Sequence, residues 1–584
     1  MATSTEQKTP SFMTSMCFGT IEEDQILPYP KTRPQDVELL KNVITSLDQL
    51  LKPHEKDFRA WDRAGEMPPS MIEELKQFGM FSLIIPESHG GMAMNATCYS
   101  RTLQEMAKYD GSVAVTVGAH SSIGMRGLVL FGTDAQKQQY FSKLASGEMI
   151  AAFCLTEPGS GSDAASIKTT AVKDGDHWVL NGNKLWITNG GIASFFTVFA
   201  KTGGQAERGN MTAFIVTKDM PGVSVGPHED KMGLRASSTT TVQFDNVRIP
   251  DANVLGEVGK GFKVAMKILN SGRSGLGGGT IGVMKKLLAL GTKQAKDRTQ
   301  FGKPIAEFGL VKQKLGHLVV DCYATESAVN MLNHFVDSGV EEYAVEAAIA
   351  KVFGSEAMWR SCDEMLQVAG GNGYMCEFPY ERIMRDARIN RIFEGTNDIL
   401  RLFIALTVLN EVGSSLKELS DSLKGIFDNP IKGFGVLSDY ARRRAAIATG
   451  VKREKSHFTK LHPAVQEKGT LVEELTRDLA AAADRILRKH GKNIIGKQFA
   501  TKRLADIMID LFVLSCTLSR VSTAVQDKGA GNCTKELEIL EVLSGQVRRR
   551  VKSNFNKIDD NDDEHIKSLA NHALELEGYA WDNI

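Results

Sequence analysis

The sequence predicts an α+β multidomain chain, and three observations predict it. Apolar residues recur at spacings of three and four from about Asp36 to Gly147. The texture then changes to short β-branched and aromatic runs as far as Asn253, and long helical patterns return beyond Gly261 and persist into the tail. A chain of 584 residues is well past the size at which a single hydrophobic core keeps growing. The expected division is a leading segment over 1–35, a first helical domain over 36–149, a β domain over 150–256 and a second helical domain over 257–410. A linker over 411–468 and a last helical domain over 469–584 follow.

In the first helical domain, Val37–Leu51 and Met71–Phe78 carry the clearest periodicity, with polar breaks between them. The β domain is built from His177–Leu180, Lys184–Ile187, Phe195–Phe199, Thr212–Val216 and Thr240–Phe244. Turn residues such as Asp174-Gly175 and Asn181-Gly182 separate these runs, and the second reads as a hairpin because both its residues tolerate the positive φ of a tight turn. An antiparallel sheet is the expectation. In the second helical domain, Gly277–Gly279 and Gly370-Gly371 read as interruptions. Residues 426 to 460 mix apolar and cationic side chains as an interfacial helix would, although Pro430 and several glycines equally suit a solvated linker. Further on, Leu475, Leu479, Ala482 and Ile486, then Leu504, Ile507, Leu511, Leu514 and Leu518, mark two amphipathic helices, so the tail is folded.

Composition narrows the function classes. Hydrophobic residues make up 42% and charged residues 24%, at a formal net charge of zero, which describes a globular protein with no electrostatic case for nucleic acid. The eight cysteines are scattered, with no pair at zinc-ligand spacing, which points to a reducing compartment and no structural metal. Met1 to Thr20 hold no apolar core and no arginine, so no targeting peptide is expected on this chain. No stretch of sequence approaches the roughly 20 apolar residues that span a bilayer. The expected setting is a bacterial cytoplasm or, for a processed eukaryotic protein, the mitochondrial matrix or inner-membrane face.

Three segments carry chemistry. In Phe153-Cys-Leu-Thr-Glu-Pro-Gly-Ser-Gly-Ser-Asp163 a β-type run enters glycines interleaved with hydroxyl and carboxylate groups, and glycine lets backbone N–H groups approach a ligand. Taken alone, it also reads as a polar surface loop. In Lys184-Leu-Trp-Ile-Thr-Asn-Gly-Gly191 an aromatic ring and a hydroxyl share a strand ahead of a glycine turn. In Arg391-Ile-Phe-Glu-Gly-Thr-Asn-Asp-Ile-Leu-Arg401, Gly395 breaks the chain just after a carboxylate, and Thr396-Asn397-Asp398 open a helix as a capping cluster. Glu394 is therefore expected at a loop-to-helix junction, facing a cleft and backed by Ile392 and Phe393. Burial there raises a carboxylate's pKa and suits a general base. By itself the residue also reads as an ordinary capping acid.

The pair Cys154–Asp163 and Trp186–Gly191 resembles, at family spacing, the two flavin-binding signatures of the acyl-CoA dehydrogenases. The resemblance implies FAD, bound by Phe153 and Gly161, with Leu155 and Thr156 along the flavin edge and Ser162 serving its phosphate and the thioester tail. Trp186 and Thr188 would cover the ring beside its reactive N5, and Ile187 would also bind the cofactor. It implies Glu394 as the base of the family's Glu-Gly-Thr segment; two branches carry the base on an earlier helix near Asn270-Ser-Gly-Arg273, where no carboxylate stands here. Arg298 and Phe301 would reach the flavin of a second subunit, and Gln367, Gly370 and Gly371 would hold its adenylate half. Without the resemblance, Arg298 reads as a solvated charge and Gly370-Gly371 as a helix-ending turn. Thr396, Asn397 and Asp398 would also contact the cofactor, and Ser162, Asn270, Arg273, Phe393 and Gly395 would line the thioester site. The implied fold is an N-terminal α domain, a middle antiparallel β-barrel-like domain and a C-terminal four-helix bundle.

The tail of some 175 residues beyond Leu409 resembles the very-long-chain branch of that family. Membership there implies a homodimer, peripheral membrane contact, long acyl-CoA as substrate and electron-transfer flavoprotein as acceptor. Small residues Gly118 and Ala119 fit a deep acyl tunnel. An acyl-CoA oxidase with the same base, and a scaffold like the paralogue that assembles respiratory complex I, are the alternatives.

Overall fold

The computed structural model describes residues 11–203, 210–424 and 457–582. Two units separate, one over Pro30–Ile399 and one joining the residues before Pro30 to those from Leu400 onward. Helix α1 (Phe12–Cys17) belongs to the second. The first opens with α2 (Pro34–Leu51), α3 (Phe58–Ala64), α4 (Pro69–Gln77), α5 (Ala96–Tyr109), α6 (Gly111–Gly118), α7 (Arg126–Phe131) and α8 (Asp134–Ser146). Between α6 and α7 the chain widens into a π-helical turn over Ala119–Gly124. Such turns are rare and concentrate at functional sites. From Gly111 to Phe131 this makes a helical run of 21 residues, apolar and long enough to cross a membrane, contrary to the sequence expectation. It is 67% buried against its neighbours and forms part of the domain core.

Eight strands follow: β1 (Ala151–Cys154), β2 (Thr170–Asp174), β3 (His177–Thr188), β4 (Phe195–Lys201), β5 (Met211–Thr217), β6 (Val223–Val225), β7 (Thr239–Pro250) and β8 (Val254–Leu255). They join in the order β6-β7-β3-β2-β4-β5-β8, with β1 on β4. Two sequence expectations are corrected here. The sheet is not wholly antiparallel, since β1 and β2 each pair with β4 in parallel. Asn181-Gly182 is not a hairpin either: His177–Thr188 is one strand, and its register against β7 slips between Leu180 and Gly182. The turn that folds β2 onto β3 lies at Gly175-Asp176, where Asp174 pairs with His177.

The second helical set is α9 (Gly261–Asp297), α10 (Gly309–Asp337), α11 (Ala344–Ala369), α12 (Gly371–Tyr374), α13 (Tyr380–Arg388) and α14 (Asn397–Lys424), with a small ribbon, β9 (Thr299–Gln300) and β10 (Lys303–Pro304), after α9. Gly277–Gly279 does not interrupt α9, which runs unbroken for 37 residues. Gly277 and Gly278 serve close approach, as does Gly282 one turn on. A Cβ on Gly278 would lie 2.3 Å from the Ser100 carbonyl oxygen and one on Gly282 2.0 Å from that of Gln104, so only glycine lets α5 lie this near. By contrast, Gly370 does end α11, at φ 60°.

Buried charges tie the α and β parts of this unit together. Arg385 binds both carboxylate oxygens of Asp62 and the Met232 carbonyl, while Asp386 accepts the Leu234 N–H at 2.5 Å. Arg382 meets Asp110, the residue that caps α6, at 2.6 Å.

In the second unit, α15 (Gln466–His490), α16 (Gln498–Lys528), α17 (Thr534–Asn556) and α18 (Asp563–Leu576) follow. The periodic residues Leu475, Leu479, Ala482, Ile486, Leu504, Ile507, Leu511, Leu514 and Leu518 are all buried. The leading segment joins this core: Phe12 stacks obliquely on Phe512 at 6.3 Å, and the Tyr29 N–H donates to Thr523 Oγ1 at 2.8 Å. The reading of residues 426–460 as interfacial lies, up to residue 456, outside the described residues.

The packing of α5 on α9 makes a contrast between neighbouring glycines. Gly282→Ala is expected to cost about 1–3 kcal/mol through overpacking. Gly279→Ala, whose Cβ would meet only Ala107 at 4.0 Å, is expected to be neutral or to stabilise by up to about 0.5–1 kcal/mol through helix propensity. Denaturant unfolding of the two variants measures both.

Candidate functional site

Strand β3 alternates in and out until Lys184, and there its register against β7 slips again before Ile187. Trp186 sits in this bulge at φ 56°, a conformation that a non-glycine residue holds only at a cost of about 1–3 kcal/mol. A bulge re-aims a side chain, and this one leaves the Trp186 indole 62% exposed. Ile187 is buried in the sheet core, so of its groups only the backbone can meet a ligand.

The loop after β1 is held against the same strand. Thr156 accepts the Leu185 N–H at 2.9 Å, and Glu157 and Ser160 exchange backbone bonds at 3.0 Å, closing a turn over Pro158-Gly159. Beneath it lies an ion pair that sequence reasoning missed. Lys184 is fully buried, and its Nζ donates to Glu157 Oε1 at 2.7 Å, the Phe199 carbonyl at 2.8 Å and the Leu155 carbonyl at 3.3 Å. Glu157 also accepts the backbone N–H groups of Lys168 and Thr169. Burial disfavours both charges, yet the pairing and these bonds hold the Glu157 carboxyl below its usual range. An ammonium has three donors, and all three are used here.

Asn189, at φ 65° and fully buried, donates through Nδ2 to the Thr116 carbonyl at 2.9 Å and so fixes the end of β3 to α6. The π-helical turn continues this connection. His120 Nδ1 accepts the Ala151 N–H at 2.9 Å while Nε2 faces the Phe81 carbonyl at 3.1 Å. Burial pulls this imidazole down to about 4, so it is a neutral structural group. At the far side of the turn, a Cβ placed on Gly272 would meet Ile123 Cγ2 at 3.1 Å and Glu394 Oε2 at 3.4 Å, so Ile123 and the carboxylate flank one point on α9.

Glu394 stands at the junction where the sequence places it, between α13 and α14, with Thr396 Oγ1 accepting the Ile399 N–H at 3.3 Å as a helix cap. What dries it differs from expectation. Ile392 is 45% exposed and Phe393 half-buried, and Ile123 with the small face of α9 supplies apolar backing. Glu394 Oε2 is closed off from solvent without a hydrogen-bond partner. Burial raises the carboxyl's pKa; Arg273 and Lys351 restrain that rise. Arg273 is itself buried, reaches Asn270 Oδ1 at 2.6 Å and the Glu394 carbonyl at 3.5 Å, and is pulled down to about 10 by desolvation. Asn397 does not extend toward a ligand: its amide is spent inward on Lys351, Ser355 and Glu356, which corrects its reading as a cofactor contact.

The remaining predicted residues range from buried to exposed: Leu155 lies in the core. Ser162, Gly161, Arg298, Gln367, Gly370, Gly371 and Asp398 are exposed, while Phe153, Thr156, Thr188, Phe393, Gly395 and Thr396 are half-buried. Phe301 is 93% exposed at φ 53°. A Cβ on Gly159 or Gly161 would meet nothing within 4 Å. An uncovered indole beside hydroxyls and an open glycine-rich backbone is the set that a planar heteroaromatic phosphate ester needs, so these residues fit FAD. Lys351, the other residue that sequence reasoning missed, had a signal in its setting: it is the lone cation in the apolar stretch Ala347–Gly354.

Models of the N-terminal, middle and C-terminal domains of acyl-CoA dehydrogenase match residues 34–148, 152–247 and 259–409, and a model of the ACAD9/ACADV C-terminal domain matches 463–579. The chain is 40% identical over 586 residues to the mitochondrial very long-chain specific acyl-CoA dehydrogenase of Macaca fascicularis, covering 98% of this chain and 88% of that protein. Against the Homo sapiens protein of that name identity is 43% over 530 residues, covering 88% and 79%. The crystal structure of an acyl-CoA dehydrogenase complexed with FAD from Bacillus anthracis superposes with a TM-score of 0.81 at 30% identity, covering 97% of this chain and 96% of that one.

Breaking the Lys184–Glu157 pair from one side leaves a buried charge alone. Lys184→Met is expected to cost about 3–5 kcal/mol, and the double variant Lys184→Met with Glu157→Gln less than that single change. A double-mutant cycle on urea unfolding measures the difference.

Proposed function

The chain belongs to the acyl-CoA dehydrogenases, FAD-dependent enzymes, and we propose that it oxidises long or very-long-chain acyl-CoA to the trans-2-enoyl thioester with Glu394 as the base. One observation carries this reading: the Glu394 carboxylate is desolvated, leaves Oε2 unbonded, and sits on a strained turn between two buried cations. A hydrogen-bonded structural carboxylate would have both oxygens satisfied. An unsolvated one with a spare lone pair is disposed to accept a proton.

The α proton of a thioester is too weakly acidic for a carboxylate unless the carbonyl is polarised, and donors fixed in a dry site supply that polarisation. The family resemblance makes the Glu394 backbone N–H one such donor, on the same turn as the carboxylate. The chemistry that FAD supplies when bound is acceptance of the β hydride. Thr156, Ser162, Trp186 and Thr188 would hold it, with the Trp186 indole against the ring. Arg273 and Asn270 would border the thioester, and Gly118 and Ala119 would leave depth for a long acyl chain.

The very-long-chain assignment is supported by the match of residues 463–579 to the C-terminal domain of that branch. A homodimer is supported by Phe301, a nearly fully exposed phenyl ring beside Arg298 that a second subunit's cofactor would cover. Electron-transfer flavoprotein is the proposed acceptor, as in the family.

Anaerobic titration of the purified yellow protein with acyl-CoAs of increasing length tests the reading. Long-chain thioesters are expected to bleach the flavin and short ones to do so poorly. Glu394→Gln is expected to stay yellow and bleach about 10²–10⁴-fold more slowly; bleaching at the parent rate would remove Glu394 from the role. The base works ionised and burial raises its pKa. The bleaching rate is therefore expected to fall as pH drops, with a midpoint above the ordinary carboxylate value of about 4.3, and pH-dependent stopped-flow measures it.

A further inference from the structure

The roles assigned so far leave unexplained a buried charge beside the base. Lys351 lies on α11 with none of its surface exposed, in a place where lysine is rarely found unless bound by acceptors. Its Nζ donates to the Gly395 carbonyl at 2.8 Å and to Asn397 Oδ1 at 2.9 Å. These acceptors bracket Thr396, where the chain leaves the base and enters α14. Glu394 and Gly395 are both left-handed, at φ 56° and 94°. Glycine tolerates that region, but glutamate is strained in it, and strain persists only where the surroundings over-determine it.

The surroundings do so through the two carbonyls that the turn exposes. The Glu394 carbonyl faces Arg273 Nη2 on α9 at 3.5 Å, and the Gly395 carbonyl is bound more closely by Lys351 on α11. Asn397 is fixed in turn by Ser355 and Glu356, one helical turn beyond Lys351. The turn is thus pinned to α11 at two points, through a group that touches neither the carboxylate oxygens nor the exposed rim.

We infer that Lys351 is a positioning residue for α-proton abstraction: by binding the Gly395 carbonyl and the Asn397 amide, it keeps the Glu394–Gly395 turn left-handed and the Glu394 carboxylate correctly aimed. This rests on the reading of Glu394 as the base. Burial pulls the Lys351 amine down to about 7. Its two acceptors match the two N–H donors that even a neutral amine keeps, so the clamp does not depend on protonation. In the acid range, where the amine is charged, it also acts on the carboxylate through space. The charged and titratable groups facing Glu394 are Arg273 from α9, Lys351 from α11 and Tyr99 from α5; those facing Lys351 are Glu394, Arg273, Glu356 and Arg391. Removing Lys351 deletes one of the two cations that restrain the carboxyl's upward shift, and the carboxyl should then titrate higher.

The test uses the holoenzyme and its Lys351→Met, Lys351→Arg and Glu394→Gln variants under anaerobic conditions. Two readouts are taken per bound flavin: the bleaching rate with a long acyl-CoA across pH, and the long-wavelength absorbance formed with a thioester analogue that can lose its α proton but cannot deliver a hydride. Lys351→Met is expected to retain FAD and acyl-CoA binding, to bleach about 10²-fold more slowly through misplacement of the base, and to form less of the analogue band. Its acid limb is expected to move up by on the order of one pH unit. Lys351→Arg, which keeps donors and charge, is expected to recover a large part of the rate. Should Lys351→Met not fold, Lys351→Gln, which keeps a donor without the charge, carries the same test. A variant that loses FAD content or thermal stability but keeps the parent rate and pH profile per bound flavin overturns the inference, since a merely structural lysine would behave so. Parent-like bleaching by Glu394→Gln is a separate failure, one of the base itself.

Discussion

Keeping a carboxylate dry is the constraint on which the rest of this structure depends. Desolvation favours the protonated acid, and a base that stays protonated cannot work. Glu394 escapes that outcome because Arg273 on α9 and Lys351 on α11 bring positive charge to the same turn. Those cations are buried although the turn itself is half-buried, burial disfavours their charge, and the carboxylate stabilises both. None of the three groups would be buried in ionised form alone. Their mutual attraction, with the carbonyls of Glu394 and Gly395 and the amides of Asn270 and Asn397, makes the cluster self-consistent.

The scaffold that brings those charges together depends on absent side chains. Helix α9 passes its neighbours on glycine: Gly275 beside Tyr99 and Leu103, Gly278 against the Ser100 backbone, Gly282 against that of Gln104. One turn earlier, Gly272 leaves the space that Ile123 and Glu394 share. A helix with so many glycines is intrinsically weak, and burial along its length offsets that weakness. Seen this way, the same small face that lets α5 approach also leaves room for the base.

Part of the backbone strain follows the same pattern, while Ala93, Leu234, Asn246 and Glu577 are left-handed elsewhere. Trp186, Asn189, Phe301 and Glu394 are all left-handed without being glycine. Trp186 and Phe301 present aromatic rings to open surface, Asn189 fastens the strand that carries Trp186, and Glu394 carries the carboxylate. Each is held by something rigid nearby: a slipped β register, a buried amide bond to Thr116, a two-stranded ribbon, a pair of cations. Strained conformations of this kind persist at sites where direction matters more than local energy.

Local sequence was enough for much of this. Periodicity located the helices and strands, the Thr396 cap located the junction at Glu394, and the resemblance of the segments around Thr156 and Trp186 to a family's flavin signatures implied the cofactor. Those signals are short-range, because a helix period, a cap or a glycine-rich loop is written in neighbouring residues. The errors came where a residue's meaning depends on what lies across from it. Gly277–Gly279 reads as a break until α5 is seen against it, and Asn181-Gly182 reads as a turn until β7 is seen to run past it with a shifted register. Asn397 reads as a ligand contact until its amide is found turned inward. Lys184 reads as an unremarkable lysine and Lys351 stands out only as a lone cation among apolar residues, and nothing in their immediate neighbours shows that a carboxylate 27 residues away or a carbonyl 44 residues away will meet them. Buried charge pairs and close helix crossings join residues distant in the chain, so only the folded chain could decide them.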